Sequence, residues 1–88
     1  MMYKILFSPQ SLKDSKKIAS SNLKPKVEVL LEIISKNPYQ FPPEFEFLSG
    51  NLKGFISRRI NKQHRLVYEV LEEEKTIKIL RMWTHYEN

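Results

Sequence analysis

Eighty-eight residues make one small domain, with room for a single core and not for two. There is no cysteine and there are only two histidines, which excludes disulfides, thiolate metal sites and a structural zinc. Fifteen Lys and Arg against ten Asp and Glu leave a net charge of +5, which points to an acidic partner, with nucleic acid the first candidate. No apolar run is long enough to span a membrane, and the opening MMYKILFSPQ has no signal-peptide pattern. A cytoplasmic protein without membrane contacts is therefore expected.

Tyr3–Phe7 alternates and is short, so it is expected to be a strand, placed near the centre of a sheet. Ser8-Pro9 is a helix opening, a hydroxyl cap followed by proline in the first turn. The helix it opens should run to about Ser20, with Leu12, Ile18 and Ala19 as its few apolar positions. Pro25 opens a stronger helix: Val27, Leu30, Leu31 and Ile34 follow i, i+3, i+4, i+7 spacing, and Asn37-Pro38 ends it. The stretch from Tyr39 to Gly50 is rich in proline and phenylalanine, too aromatic for a disordered linker. It reads as an ordered loop leading to a short extended piece around Glu46–Leu48.

The segment from Gly54 to Val70, GFISRRINKQHRLVYEV, is where the charge sits. Between Phe47 and Tyr68 there is no acid, yet Lys53, Arg58, Arg59, Lys62 and Arg65 fall there, and the flanking segments contribute +2 and −2. It reads as a hairpin, Phe55–Ile60 and His64–Val70, turned at Asn61-Lys62-Gln63. If Ile60 pairs with His64, Arg59 faces Arg65, with Ser57 and Val67 next along that face. Like charges opposed across a ladder destabilise a sheet, so an anion between them is the natural account. Ile56, Ile60, Leu66, Tyr68 and Val70, interrupted by Arg58, form the face expected to meet the core. Glu72-Glu73-Glu74-Lys75 is then a charged turn and Thr76–Met82 the last strand. The order β-α-α-(β)-β-β-β predicts an α+β domain: a small antiparallel sheet with the two N-terminal helices packed on one face.

Glu46 lies just before the basic stretch and His85 just after the last strand. If these strands are neighbours, both reach the Arg59–Arg65 platform. Cleavage of RNA by its own 2′-hydroxyl needs a base for that hydroxyl, cations for the phosphorane and an acid for the 5′-oxygen. A carboxylate, two guanidiniums and an imidazole supply that set. The plainer readings stand beside it: Glu46 as a solvated loop charge, His85 as a surface residue near a terminus, Arg59 and Arg65 as solubilising charges or partners of the Glu72–Glu74 turn. His64 at the turn edge reads as structural. Lys62 belongs to the turn, off the anion face.

The string NLKGFISRRINKQHRLVYEV, from Asn51 to Val70, resembles the core signature of the YoeB/Txe toxins in the RelE superfamily, which reads close to NLxGxxSRRIxxxHRLVY. The resemblance continues through Glu46-Phe47-Leu48 on one side and His85-Tyr86 on the other, while the N-terminal half agrees in layout more than in letters. It implies a single toxin domain over residues 1–88 with a microbial-ribonuclease-like fold. It further implies a ribosome-dependent endoribonuclease that cuts mRNA in the ribosomal A site and so inhibits translation. Carried across by position, Glu46 matches the general base and His85 the general acid. Arg65 matches the arginine on the scissile phosphate, Arg59 an auxiliary phosphate contact, and Tyr86 a terminal tyrosine needed for activity.

Lys53 and Arg58 are further candidate phosphate contacts. Ser49 stands where relatives often have lysine, and Lys53 is the candidate to replace that charge. The implied partners are an acidic, YefM-like antitoxin and the 70S ribosome with its mRNA, with no cofactor or metal; whether the toxin forms a homodimer is left open. Two readings compete. A non-catalytic, ParE-like gyrase poison on the same scaffold has no need of an acid–base pair. A basic RNA-binding module should show exposed aromatics interleaved with the cations.

Overall fold

In the computed structural model, residues 2–84 are described. The elements are β1 (Lys4–Phe7), α1 (Pro9–Ala19), α2 (Lys24–Lys36), β2 (Phe45–Phe47), β3 (Ile56–Arg59), β4 (Arg65–Leu71) and β5 (Thr76–Thr84), with short 3-10 turns at Gly50–Leu52 and Glu72–Glu74. They form one five-stranded sheet in the order β1-β5-β4-β3-β2, as the α+β expectation requires. Ile18, Val27, Leu30 and Ile34 of the helices pack with Ile56, Leu66, Tyr68, Ile77 and Ile79 of the sheet, so both helices cover the same face. No helix among the described residues is long and apolar enough to cross a membrane.

Local signals account for most of these elements. Ser8 caps α1, its Oγ accepting from the Ser11 N–H at 3.1 Å, with Pro9 in the first turn. The predicted apolar stripe of α2 is the one it buries, at Val27, Leu30 and Ile34. Gly54, at φ +92°, turns the chain into β3 through backbone space that a Cβ would disfavour.

One expectation is corrected. β1 is not central: it lies at the sheet edge, paired parallel to β5 from Lys4↔Thr76 to Phe7↔Ile79. The crossover through both helices returns the chain to β5 only after the meander is built, which leaves the first strand outside, with Leu6 and Phe7 partly exposed. The inward face of α1 is only partly apolar. Leu12 is exposed, and the buried positions are Ser11, Asp14 and Ile18.

Asp14 explains the polar part of that face. Against β4 the register of β5 slips near Val67, and there Asp14 Oδ2 accepts from the Met82 N–H at 2.9 Å, the Trp83 N–H at 3.3 Å and Arg81 Nε at 3.0 Å. Its other oxygen accepts from Gln10 Nε2 at 3.0 Å. The carboxylate thus replaces ladder bonds at a bulge and pins the end of β5 to α1. Burial raises its pKa, but the Met82, Gln10 and Arg81 hydrogen bonds and the Arg81 charge outweigh that, leaving it below the ordinary 3.8.

A depressed carboxylate pKa means that the unfolded chain binds the proton more readily. The stabilisation is therefore complete above the ordinary value and is lost as pH falls below it through the folded pKa. Asp14→Ala is expected to destabilise the fold by about 2–3 kcal/mol near neutral pH, because hydrogen bonds to charged groups are each worth about 1.5–3. Urea denaturation at pH 7 and near pH 3 should show the gap between variant and wild type narrowing in acid. A constant gap would deny the carboxylate this role.

Candidate functional site

A groove of about 660 Å³ lies beside the β3–β4 hairpin. Its architecture follows from strand register. Ile60 donates to the His64 carbonyl at 2.9 Å, closing the turn, and Arg59 then stands opposite Arg65, as the sequence predicts. Asn61 Oδ1 accepts from the backbone N–H groups of Gln63 and His64 at 2.8 and 2.7 Å and fixes that turn. On the other side β2 pairs with β3, Glu46 opposite Ser57, two positions from Arg59 and on the same face. Glu46, Ser57, Arg59 and Arg65 accordingly line one groove.

The cations of this groove are not neutralised from within. The ion pairs among the described residues are Lys36–Glu32, Lys75–Glu72 and Arg81–Asp14, none of which involves Arg59 or Arg65. Glu72 of the acidic turn instead accepts from the Tyr3 hydroxyl at 2.9 Å and approaches Lys75 at 3.5 Å. The turn therefore does not serve the arginines. Two opposed guanidiniums with no ion pair among the described residues make a site for an anion.

Several expected contacts are placed elsewhere. Arg58 is not available to a phosphate: it is fully buried. Its Nε donates to the Tyr68 hydroxyl at 2.9 Å, and its terminal nitrogens donate to the carbonyls of Pro43, Gln40 and Pro38. Its guanidinium carbon lies 4.6 Å from the centroid of the Phe45 ring. The alternation of β3 contained this signal, since Arg58 shares its face with Ile56 and Ile60. Tyr68 completes the network by donating to Pro38 O at 2.7 Å, and burial keeps its phenol protonated by raising its pKa. One buried fork thus ties the Pro38–Pro43 loop to the sheet and supports β2, which carries Glu46.

Arg58→Lys keeps the charge but loses the planar fork. With carbonyls left unpaired at about 1–3 kcal/mol each, we expect a loss of about 2–4 kcal/mol in stability. Thermal denaturation checks it, and an unchanged melting temperature would count against the network.

Lys53 is exposed and does not line the groove; it ends the Gly50–Leu52 turn. Lys62 does line it, contrary to its expected place off the anion face, and so does Lys26 from α2. Lys26 had no local signal, because only the packing of α2 beside the hairpin brings it there. His64 is buried, stacked on Trp83 with centroids 4.1 Å apart, and its Nδ1 has no hydrogen-bond partner among the described residues. His85 and Tyr86 lie outside the described residues. The last described residue, Thr84 of β5, pairs with Arg65.

Two helices on one face of a five-stranded sheet, with a basic groove beside its β3–β4 hairpin, fit the fold of the small toxins of the RelE superfamily. The chain belongs to the YoeB-like toxin family of bacterial type II toxin–antitoxin systems, whose sequence profile matches residues 7–86. It is 36% identical to toxin YoeB of Synechocystis over 62 residues, covering 70% of each protein. Among solved structures, the YoeB dimer of Staphylococcus aureus superposes with a TM-score of 0.83 at 37% identity, covering 98% of this chain and 100% of that one. The toxin of the YoeB–YefM complex from the same organism gives 0.81 at 38% identity, with the same coverage.

Proposed function

We propose that this toxin is an endoribonuclease that cuts messenger RNA in the ribosomal A site, and that an acidic antitoxin silences it. The observation that carries the reading is the shared groove: a carboxylate on β2 and two opposed arginines on β3 and β4, without an ion pair among the described residues, lie on one face. In the reaction, Glu46 takes the proton of the 2′-hydroxyl and the 2′-oxygen attacks the adjacent phosphorus. Arg65, helped by Arg59, stabilises the charge on the phosphorane oxygens. The bond to the 5′-oxygen breaks as His85 protonates it, leaving a 2′,3′-cyclic phosphate and a 5′-hydroxyl. Tyr86 is assigned to the same end of the site by its match to the family's terminal tyrosine. A small, open groove positions substrate weakly, so the ribosome is assigned the task of holding the message in an attack geometry.

The partners follow the same logic. An antitoxin segment bearing carboxylates would pair with Arg59 and Arg65 and relieve their repulsion. The YoeB–YefM complex and the YoeB dimer among the structural neighbours make an antitoxin of that kind, and self-association, the partners to test. A cytoplasmic location is part of the same proposal.

Mapping of 5′ ends on a translated message, with and without the toxin, tests the activity. New ends bearing 5′-hydroxyls are expected within codons, absent with Glu46→Gln and much reduced when the same RNA is free of ribosomes. Equal cleavage of free and translated RNA would refute ribosome dependence. Growth arrest without any new RNA ends would favour the gyrase-poison reading.

A further inference from the structure

Beside the groove the surface turns aromatic. Phe41 and Phe47 are 66% and 61% exposed, more than any other large hydrophobic residue among those described. Phe45 lies between them, packed edge-on against both, with ring centroids 6.1 and 5.6 Å apart. Arg58 lies over Phe45 and bonds to the carbonyls of Gln40 and Pro43, which flank the Phe41 segment. Phe45 and Phe47 belong to β2, the outermost strand of the sheet on that side, and Phe41 to the loop before it. Two solvent-facing rings side by side are an unusual cost for a small domain unless something covers them.

Continuity with the groove argues for what does. Phe45 lines the groove as well as supporting the ledge, and Phe47 follows Glu46 directly in β2. Their alternation puts Glu46 toward the groove and Phe47 toward the other face, so a chain leaving the groove past Glu46 crosses the free edge onto these rings. The chemistry gives that chain a direction. The attacking 2′-hydroxyl belongs to the nucleotide on the 5′ side of the scissile phosphate. With Glu46 on β2 as base and the phosphate at Arg59 and Arg65 on β3 and β4, that nucleotide lies toward β2.

Resting on the ribonuclease reading, we propose that Phe41 and Phe47 form a stacking ledge for the bases of single-stranded RNA on the 5′ side of the cut. Aromatic faces beside cations bind bases with little regard to their identity, so the ledge adds affinity and direction rather than a codon code.

The test uses single-turnover cleavage of a ribosome-bound message by wild type, Phe47→Trp, Phe47→Leu and the double variant Phe41→Ala/Phe47→Ala. The double variant should need about tenfold or more toxin for half-maximal rate, with the maximal rate little changed. Phe47→Trp should behave as wild type, whereas Phe47→Leu, which keeps apolar area but no ring face, should resemble the alanine. A message with an abasic nucleotide just 5′ of the cut should cost the wild type a similar factor and cost the double variant nothing further. Independent, multiplying losses from the abasic site and from the double variant would overturn the proposal, as would full activity of Phe47→Leu. So would weakened antitoxin binding with unchanged cleavage, which would make the ledge a protein-docking surface. No cleavage of any message by wild type would reject the ribonuclease reading itself, and the ledge's assignment with it.

Discussion

Arg65→Ala is expected to lower single-turnover cleavage of a translated message by about 10²-fold or more, while Lys53→Ala stays within about twofold of wild type. Both residues are basic and both lie in the positive stretch, but only Arg65 lines the groove. The distinction is between charge that follows the phosphorane and charge that merely attracts RNA. A guanidinium facing the non-bridging oxygens gains most when their charge rises, so its loss appears in the rate at saturating toxin. Lys26 and Lys62, at the same groove, should show the other signature: weaker binding and a shallower salt dependence, with a near-normal saturated rate. If Arg65→Ala and Lys53→Ala lose activity equally, the hairpin is a generic basic patch and the groove has no privileged phosphate position.

The parts of this site that were legible in the sequence are those set by nearest neighbours. A polar turn closing on Ile60 and His64 allows only one register for the hairpin, and that register dictates Arg59 opposite Arg65. The stripe of α2 was equally plain, because each buried position repeats at helical spacing. What was hidden depends on long-range packing or on polar groups that hydropathy counts as surface. Asp14 and Ser11 face inward because β5 offers N–H groups at its bulge and Ser8 offers a carbonyl. Arg58 is in the core because three carbonyls and a phenol receive it. β1 belongs at the edge because parallel pairing with β5 needs a crossover that no local pattern announces. In sequence the phenylalanines marked only an ordered, aromatic-rich loop, and the structure shows Phe41 and Phe47 exposed at the edge of the sheet.

His85→Gln should reduce single-turnover cleavage by about 10²-fold or more while ribosome and antitoxin binding persist. The reason lies in the leaving group. An unprotonated 5′-alkoxide is a poor leaving group at neutral pH, so the reaction needs a proton delivered as the phosphorus–oxygen bond breaks. Glutamine keeps a similar size and a hydrogen-bond donor but has no proton to transfer. The last described residue, Thr84, is paired with Arg65. A message whose 5′-oxygen at the cut is replaced by sulfur separates the roles, because a thiolate leaves without protonation. With that message His85→Gln should recover most of the lost rate, whereas Arg65→Ala, which acts on the non-bridging oxygens, should remain slow. If His85→Gln cuts the sulfur message as slowly as the natural one, the imidazole binds or positions the phosphate and is not the acid, and the proton must come from elsewhere in the site.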